Sequence, residues 1–363
     1  MMFPLPKEDK KVSPYFVFYL IHAMQIGVGI LGFEKIIVQS AGYSAWIAIL
    51  TSGASIIGLI WVSYRILNKG NNDIVAIHAE IMGKWIGGFF SFIFLLYFFA
   101  FALVVLRSYV EVLQVWVFPE VSEWIFVLII IFLSYSYVTG GFRVITGVSY
   151  LGIIYGLPLL LVNFYPLQYA DYGNLLPILS ASPADLFKAS KEMTLNFLGF
   201  ETLFMFYPFI KDGPKSEKWA YFGVLFSIFI YLFTAFVTFV YFNQEQLKST
   251  IWATLTLWKI VDLIIVERFE YIGISVWFFS ILPNICIGLW CASRGMNRLF
   301  PISQRNALKV FCLLLFIISV LLTDRQQIGV LQNTVSQVGL YTIYFYLPCL
   351  LVFQYIIMKV KKR

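Results

Sequence analysis

Charge is scarce in this 363-residue chain: 12% of its residues are Asp, Glu, Lys or Arg, against roughly a quarter in soluble domains. Set beside 60% apolar and 19% aromatic residues, that scarcity excludes both a water-soluble globular fold and a disordered chain. Histidine is limited to His22 and His78. Two separated histidines are poor material for a metal or a catalytic dyad. The four cysteines, Cys286, Cys291, Cys312 and Cys349, fall in apolar stretches without metal-type spacing. They are expected as buried small hydrophobes rather than as a disulfide framework. No phosphate-binding loop, nucleophile elbow or zinc motif occurs, so no catalytic residue, cofactor or metal is expected and an enzyme is not. The net charge of +7 lies in short clusters between apolar runs, which excludes a nucleic-acid partner.

What the chain does have is apolar runs long enough to cross about 30 Å of hydrocarbon. They lie near 15–37, 43–66, 86–118, 123–139, 143–164, 187–210, 217–242, 270–296, 306–323 and 335–358. The expected fold is an all-α membrane protein of ten transmembrane helices. A tail over 1–14 precedes a single membrane domain over 15–358, and a basic tail over 359–363 follows. No small-residue cleavage site follows the first apolar run, so the first helix is expected to stay in the mature chain. The segment 251–266 is amphipathic, short and charged, and is expected to lie at the surface between spans seven and eight. With a cytoplasmic amino terminus, 18 of the 26 Lys and Arg fall in inner segments, which places both termini inside.

Ten spans divide as five plus five, and an odd number per half inverts the second half relative to the first. Repeats over 15–186 and 187–358 are therefore expected. Each opens with a span interrupted by glycine: QIGVGILG at 25–32 and NFLGFET at 196–202. Gly27, Gly29 and Gly32 each cost about 1 kcal/mol relative to Ala in a helix interior. The pair of breaks, discontinuous helices 1 and 6, points to a midplane site where unpaired amides face an anion such as a carboxylate. Glycines of this kind also serve simply to bring helices close.

Residues of the two breaks, Gln25, Gly27, Gly29 and Ile30 in the first and Asn196, Leu198 and Gly199 in the second, are the candidate ligand contacts. Tyr97 and Phe101 on span three, and Asn284 and Gly288 on span eight, each lie four apart and form two further cavity-facing candidates. Asn284 follows Pro283, which frees a carbonyl nearby. Glu201 sits near membrane depth and is a gating or proton-linked candidate, or else a hydrogen-bonded structural group. Arg107 and Glu111 share a helix face and are expected to pair with each other, with a gating role requiring that they swap partners. The run Val266-Glu267-Arg268-Phe269-Glu270 reads as a solvated helix entrance.

Taken together, QIGVGILGF (25–33), GKWIG (83–87), Arg107 with Glu111, FLGFE (197–201) and VERFE (266–270) make the chain resemble the spore germination permeases. These are the polytopic B subunits of nutrient germinant receptors in endospore-forming bacteria, similar in turn to the amino acid-polyamine-organocation transporters. The resemblance implies the five-plus-five inverted-repeat fold and a place in the spore inner membrane. It also implies two partners, an A subunit with a large soluble domain and a lipoprotein C subunit. It implies a pocket at Gly27, Gly29, Tyr97, Phe101, Leu198, Asn284 and Gly288 for a germinant, often an amino acid, that triggers germination signalling or ion release. Phe101 is expected to narrow one wall and Gly288 to open another. The alternative from another class is a proton-coupled amino acid transporter working through Glu201 without partners. A ligand-gated ion channel subunit is a third.

Overall fold

The computed structural model describes residues 4–262 and 267–361. All regular structure among those residues is helical, and one isolated parallel β-bridge joins Val12 to Ile210. In chain order the helices are α1 (Phe16–Gln25), α2 (Phe33–Ala41), α3 (Trp46–Gly70), α4 (Ile74–Trp116), α5 (Glu123–Thr139), α6 (Phe142–Val162), α7 (Pro183–Thr194), α8 (Leu203–Phe206), α9 (Glu217–Tyr241), α10 (Gln244–Ser249), α11 (Ala253–Lys259), α12 (Phe269–Leu299), α13 (Gln304–Leu321), α14 (Arg325–Tyr341) and α15 (Leu347–Lys361).

Seven helical segments among the described residues are long and apolar enough to cross a membrane, and α1 and α5 are shorter apolar helices. The outer surface carries large apolar side chains such as Phe132 at 68% exposure and Leu161 at 69%. Water penalises such a surface and lipid does not. The chain is an integral membrane protein.

Long helices form the frame. α12 lies along both α4 and α6, α1 packs against α9, and α7 fills the angle between α2 and α3. α4 turns at Gly83, whose φ of 79° is open to glycine and strained for other residues. At the end that carries the amino terminus the bundle is tied shut. The Val12 N–H donates to Phe209 O and the Lys211 N–H to Val12 O, both at 2.8 Å. Asp73 caps α4 and binds Arg298 at 2.7 Å, with Arg294 at 3.7 Å.

Several sequence expectations are corrected here. Arg107 and Glu111 do not pair with each other. Arg107, buried, meets Glu123 of α5 at 2.9 Å, and Glu111 binds Arg325 of α14. α5 and α14 both begin beside the last turns of α4, so each side chain finds an opposite charge on a neighbouring helix. The segment after α10 is amphipathic as expected, with Lys259 and Asp262 exposed and its other face packed into the bundle. α11 buries Thr254, Leu255, Leu257 and Trp258 against α12 and the first interruption; residues 263–266, which include Val266, lie outside the described residues. Glu270 is buried rather than solvated and pairs with Arg268 at 3.0 Å. Cys349 is exposed, while the other three cysteines are buried.

Removing one partner of a buried ion pair leaves an uncompensated charge and costs about 3 kcal/mol or more, whereas exposed pairs contribute about 0–1 kcal/mol. Glu123→Gln is therefore expected to lower the thermal midpoint of the purified protein clearly, and Arg325→Gln to lower it by far less. Equal midpoints would contradict the assignment of Glu123 as the partner of Arg107.

Candidate functional site

The first interruption begins where α1 ends. Ile26 donates the last helical hydrogen bond, to His22 O at 3.0 Å. Gly27 departs from helical geometry, a short 3₁₀ turn runs over Val28–Leu31, and Gly32 donates to Gly29 O at 3.2 Å. The N–H groups of Gly27, Val28 and Gly29 meet no acceptor among the described residues.

The second interruption follows α7. Pro183 at its first position and Ser182, which accepts from the Asp185 N–H, start that helix in the usual way. It ends through a 3₁₀ turn over Leu195–Phe197, then Leu198 in extended geometry and Gly199 at φ 106°, a conformation that favours glycine. Glu201 stabilises this bend. Its carboxyl oxygens accept the Gly199 N–H at 2.9 and 3.1 Å, and one of them also accepts the Tyr97 hydroxyl. Glu201 is thus fully buried and hydrogen-bonded to its own break.

The two breaks face each other and are pinned by shared donors. The Tyr231 hydroxyl on α9 lies 2.7 Å from Gln25 O and 3.3 Å from Asn196 O, while Gln25 Nε2 donates to Phe197 O at 3.2 Å. A Cβ at Gly29 would stand 2.3 Å from Asn196 Oδ1, and one at Gly27 would stand 3.6 Å from Asn284 Oδ1. Asn284 donates from Nδ2 to Ser280 O at 2.9 Å. Its Oδ1 and the Oε1 of Gln25 are buried without a partner among the described residues.

Between the breaks, α4 and α14 lies a cleft of about 840 Å³. Of the sequence-derived candidates, Gln25, Gly27, Gly29, Phe101, Asn196, Leu198 and Asn284 line it, and Glu111 stands at its charged mouth with Arg325. Ile30, Tyr97, Gly199, Glu201, Arg107 and Gly288 are not on its wall. Tyr97 lies behind Leu198, since a Cβ at Gly339 would meet both the Tyr97 hydroxyl and Leu198 Cδ1 at 2.7 Å. Gly199 backs onto Met24. Gly288 opens no wall: a Cβ there would sit 2.9 Å from Phe98 O, so this glycine lets α12 approach α4. Phe101 does occupy the wall as expected.

Sequence reasoning missed Tyr231 and the polar face of α14. Gln332, Asn333, Ser336 and Gln337 line the cleft, and Gln332 donates to Ser108 Oγ at 2.7 Å. The signal for α14 was present, because Gln332, Asn333, Ser336 and Gln337 recur at helical spacing. For Tyr231, one tyrosine among 22 in the chain, there was none.

Comparison with known proteins is consistent across sequence and fold. The spore germination protein family model, that of the spore permeases, matches residues 11–328. Spore germination protein GerQB of Bacillus cereus is 43% identical over 346 residues, covering 95% of this chain and 96% of its own. Spore germination protein A2 of Bacillus subtilis (strain 168) is 22% identical over 343 residues, 93% of each chain. In fold the chain is similar to a substrate-bound, outward-open Na⁺-coupled sialic acid symporter, with TM-score 0.65 and 13% identity over 93% of this chain and 80% of the other. It is also similar to MhsT in complex with L-phenylalanine, with TM-score 0.66 and 10% identity over 94% and 97%. A transporter-like helical fold and a family match over most of the chain agree: this is a permease-like membrane protein of the spore germination protein family.

Proposed function

We propose that the cleft binds a small nutrient, an amino acid, and that the chain is the membrane subunit of a germinant receptor. The observation that carries this reading is the meeting of two helix interruptions around unsatisfied groups of both kinds. Gly27, Val28 and Gly29 offer unpaired N–H groups, and Gln25 and Asn284 offer unpartnered oxygens. An amino acid brings a carboxylate for the former and an ammonium group for the latter. Buried polar groups left unmatched are costly, so such a guest lowers the free energy of both sides.

The transporter fold supports counting α1 with α2, α7 with α8 and α14 with α15 as one crossing each. With α3, α4, α5, α6, α9, α12 and α13 that makes ten spans, read as inverted repeats over 15–186 and 187–358 with both termini on the inner side. The germination relatives support a place in the spore inner membrane beside an A subunit and a lipoprotein C subunit. Ligand shifts the packing only through better contacts in one state than in the other. Here those contacts are to α2 and to the Leu195–Phe209 segment, and the rearrangement passes to the partners or to an ion path. Glu201 acts at the bend of the second break, and the Glu111–Arg325 pair acts at the mouth. The rival, a proton-coupled amino acid transporter, has the fold of the solved relatives in its favour.

Thermal shift of the purified protein across the amino acids is expected to identify at least one that raises the midpoint, by about 2.7 kcal/mol of stabilisation at a hundredfold excess over Kd. Gly29→Leu, forced against Asn196, should abolish that rise with normal protein abundance; an undiminished rise would remove the site assignment. Tyr231→Phe withdraws the shared donor from two buried carbonyls, a loss of about 1–3 kcal/mol, and is expected to weaken binding about fivefold or more. Accumulation of labelled ligand in vesicles holding this chain alone would favour the transporter, and binding without accumulation the receptor.

A further inference from the structure

A second buried carboxyl, outside the cleft wall, is supplied quite differently from Glu201. Glu34 lies in the first turn of α2 and is wholly buried. Its Oε1 lies 2.8 Å from the hydroxyl oxygen of Thr254 on α11, and that same oxygen lies 3.1 Å from Ile30 O. A threonine hydroxyl carries one hydrogen, so two acceptors compete for one donor. Glu34 Oε2 has no partner among the described residues. Three oxygen acceptors thus share one side-chain hydrogen, and the Glu34 backbone N–H is the other donor beside the carboxyl.

Among the described residues no cation makes up the deficit. Lys35 on the same helix reaches outward to Ser249 O at 3.3 Å. From α9 the facing titratable group is Tyr231, whose hydroxyl serves the carbonyls of Gln25 and Asn196. From α11 it is Lys259, which is exposed. On α10, Lys248 pairs with Glu245. From α7, Lys188 and Lys191 line the cleft, and Glu192 accepts the Ser40 hydroxyl. A buried carboxylate without a cation or a set of donors is strongly disfavoured, and such a group takes up a proton instead.

We infer that Glu34 is a proton-binding site, carrying a proton on its carboxyl at neutral pH at the junction of α2 and α11. Placed on Oε1, the added proton is donated to Thr254 Oγ1, which frees the Thr254 O–H for Ile30 O, and the competition ends. The position gives that proton a consequence. α11 and the residues before it sit directly on the start of α2, where a Cβ at Gly32 would stand 2.2 Å from Ile251 O. When α2 parts from this lid, water reaches the carboxyl, the proton passes from Glu34 to water, and a carboxylate remains that disfavours re-closure. The inference does not depend on which ligand the cleft takes.

Infrared spectroscopy of the purified protein at pH 7 tests it. The wild type should show a protonated-carboxyl C=O band, sensitive to deuterium exchange, that Glu34→Gln removes and Glu201→Gln leaves in place. Thr254→Val keeps the carboxyl but withdraws the acceptor of its O–H, so the band should persist and move to higher frequency. Should Glu34→Gln fail to fold, the Thr254→Val shift decides alone. A band unchanged in either variant would overturn the site. Loss of the wild-type band on adding sodium at constant pH would also overturn it, in favour of an alkali ion held by the same oxygens.

Discussion

A peptide group exposed to hydrocarbon without a hydrogen-bond partner is costly, which is why membrane spans are regular helices. This chain breaks that regularity twice, at Gln25–Gly32 and at Leu195–Gly199, and the surrounding structure compensates. Tyr231 supplies one hydroxyl near carbonyls from both breaks, Gln25 gives its amide to the opposite break, and Glu201 accepts the N–H that its own bend releases. These bonds fix the breaks relative to each other. What they leave unsatisfied faces one cleft.

The breaks were legible in the sequence because glycine is the residue that a broken helix needs, and three within six positions of an apolar run are a poor recipe for a continuous one. The membrane class was legible from composition. Arg107 and Glu111 were not, since four-residue spacing describes an isolated helix, whereas α5 and α14 offer each side chain a better partner. The direction of Gly288 depends on how α12 rolls against α4. The burial of α11 depends on a tertiary surface, the start of α2, that the amphipathic pattern of 251–266 does not reveal.

Glu201 and Glu34 look alike in composition terms, a carboxyl in an apolar stretch following a glycine-rich break. Their surroundings separate them. Glu201 receives donors on both oxygens, from a backbone amide and a tyrosine, an arrangement that stabilises a bend. Glu34 shares one hydroxyl with a carbonyl and has an oxygen with nothing. Counting donors, rather than noting burial, separates these two surroundings.

The same contrast organises the mechanics. α9, α12 and the stretch of α4 beyond its turn at Gly83 are continuous, and their many backbone bonds and long packed faces resist local change. α2 and the Leu195–Phe209 segment are short pieces whose ends depend on a few side-chain bonds, and segments held this way open at lower free energy than the frame around them. One end of the bundle is closed by Asp73 with Arg298 and by the Val12 bridge, so displacement of these pieces is easiest toward the cleft mouth. There α2 meets the lid at Glu34 and α14 meets α4 at Glu111. In the proposed reading, a guest that draws the two breaks together acts first on contacts at that end, and the long helices would carry the result across the bilayer.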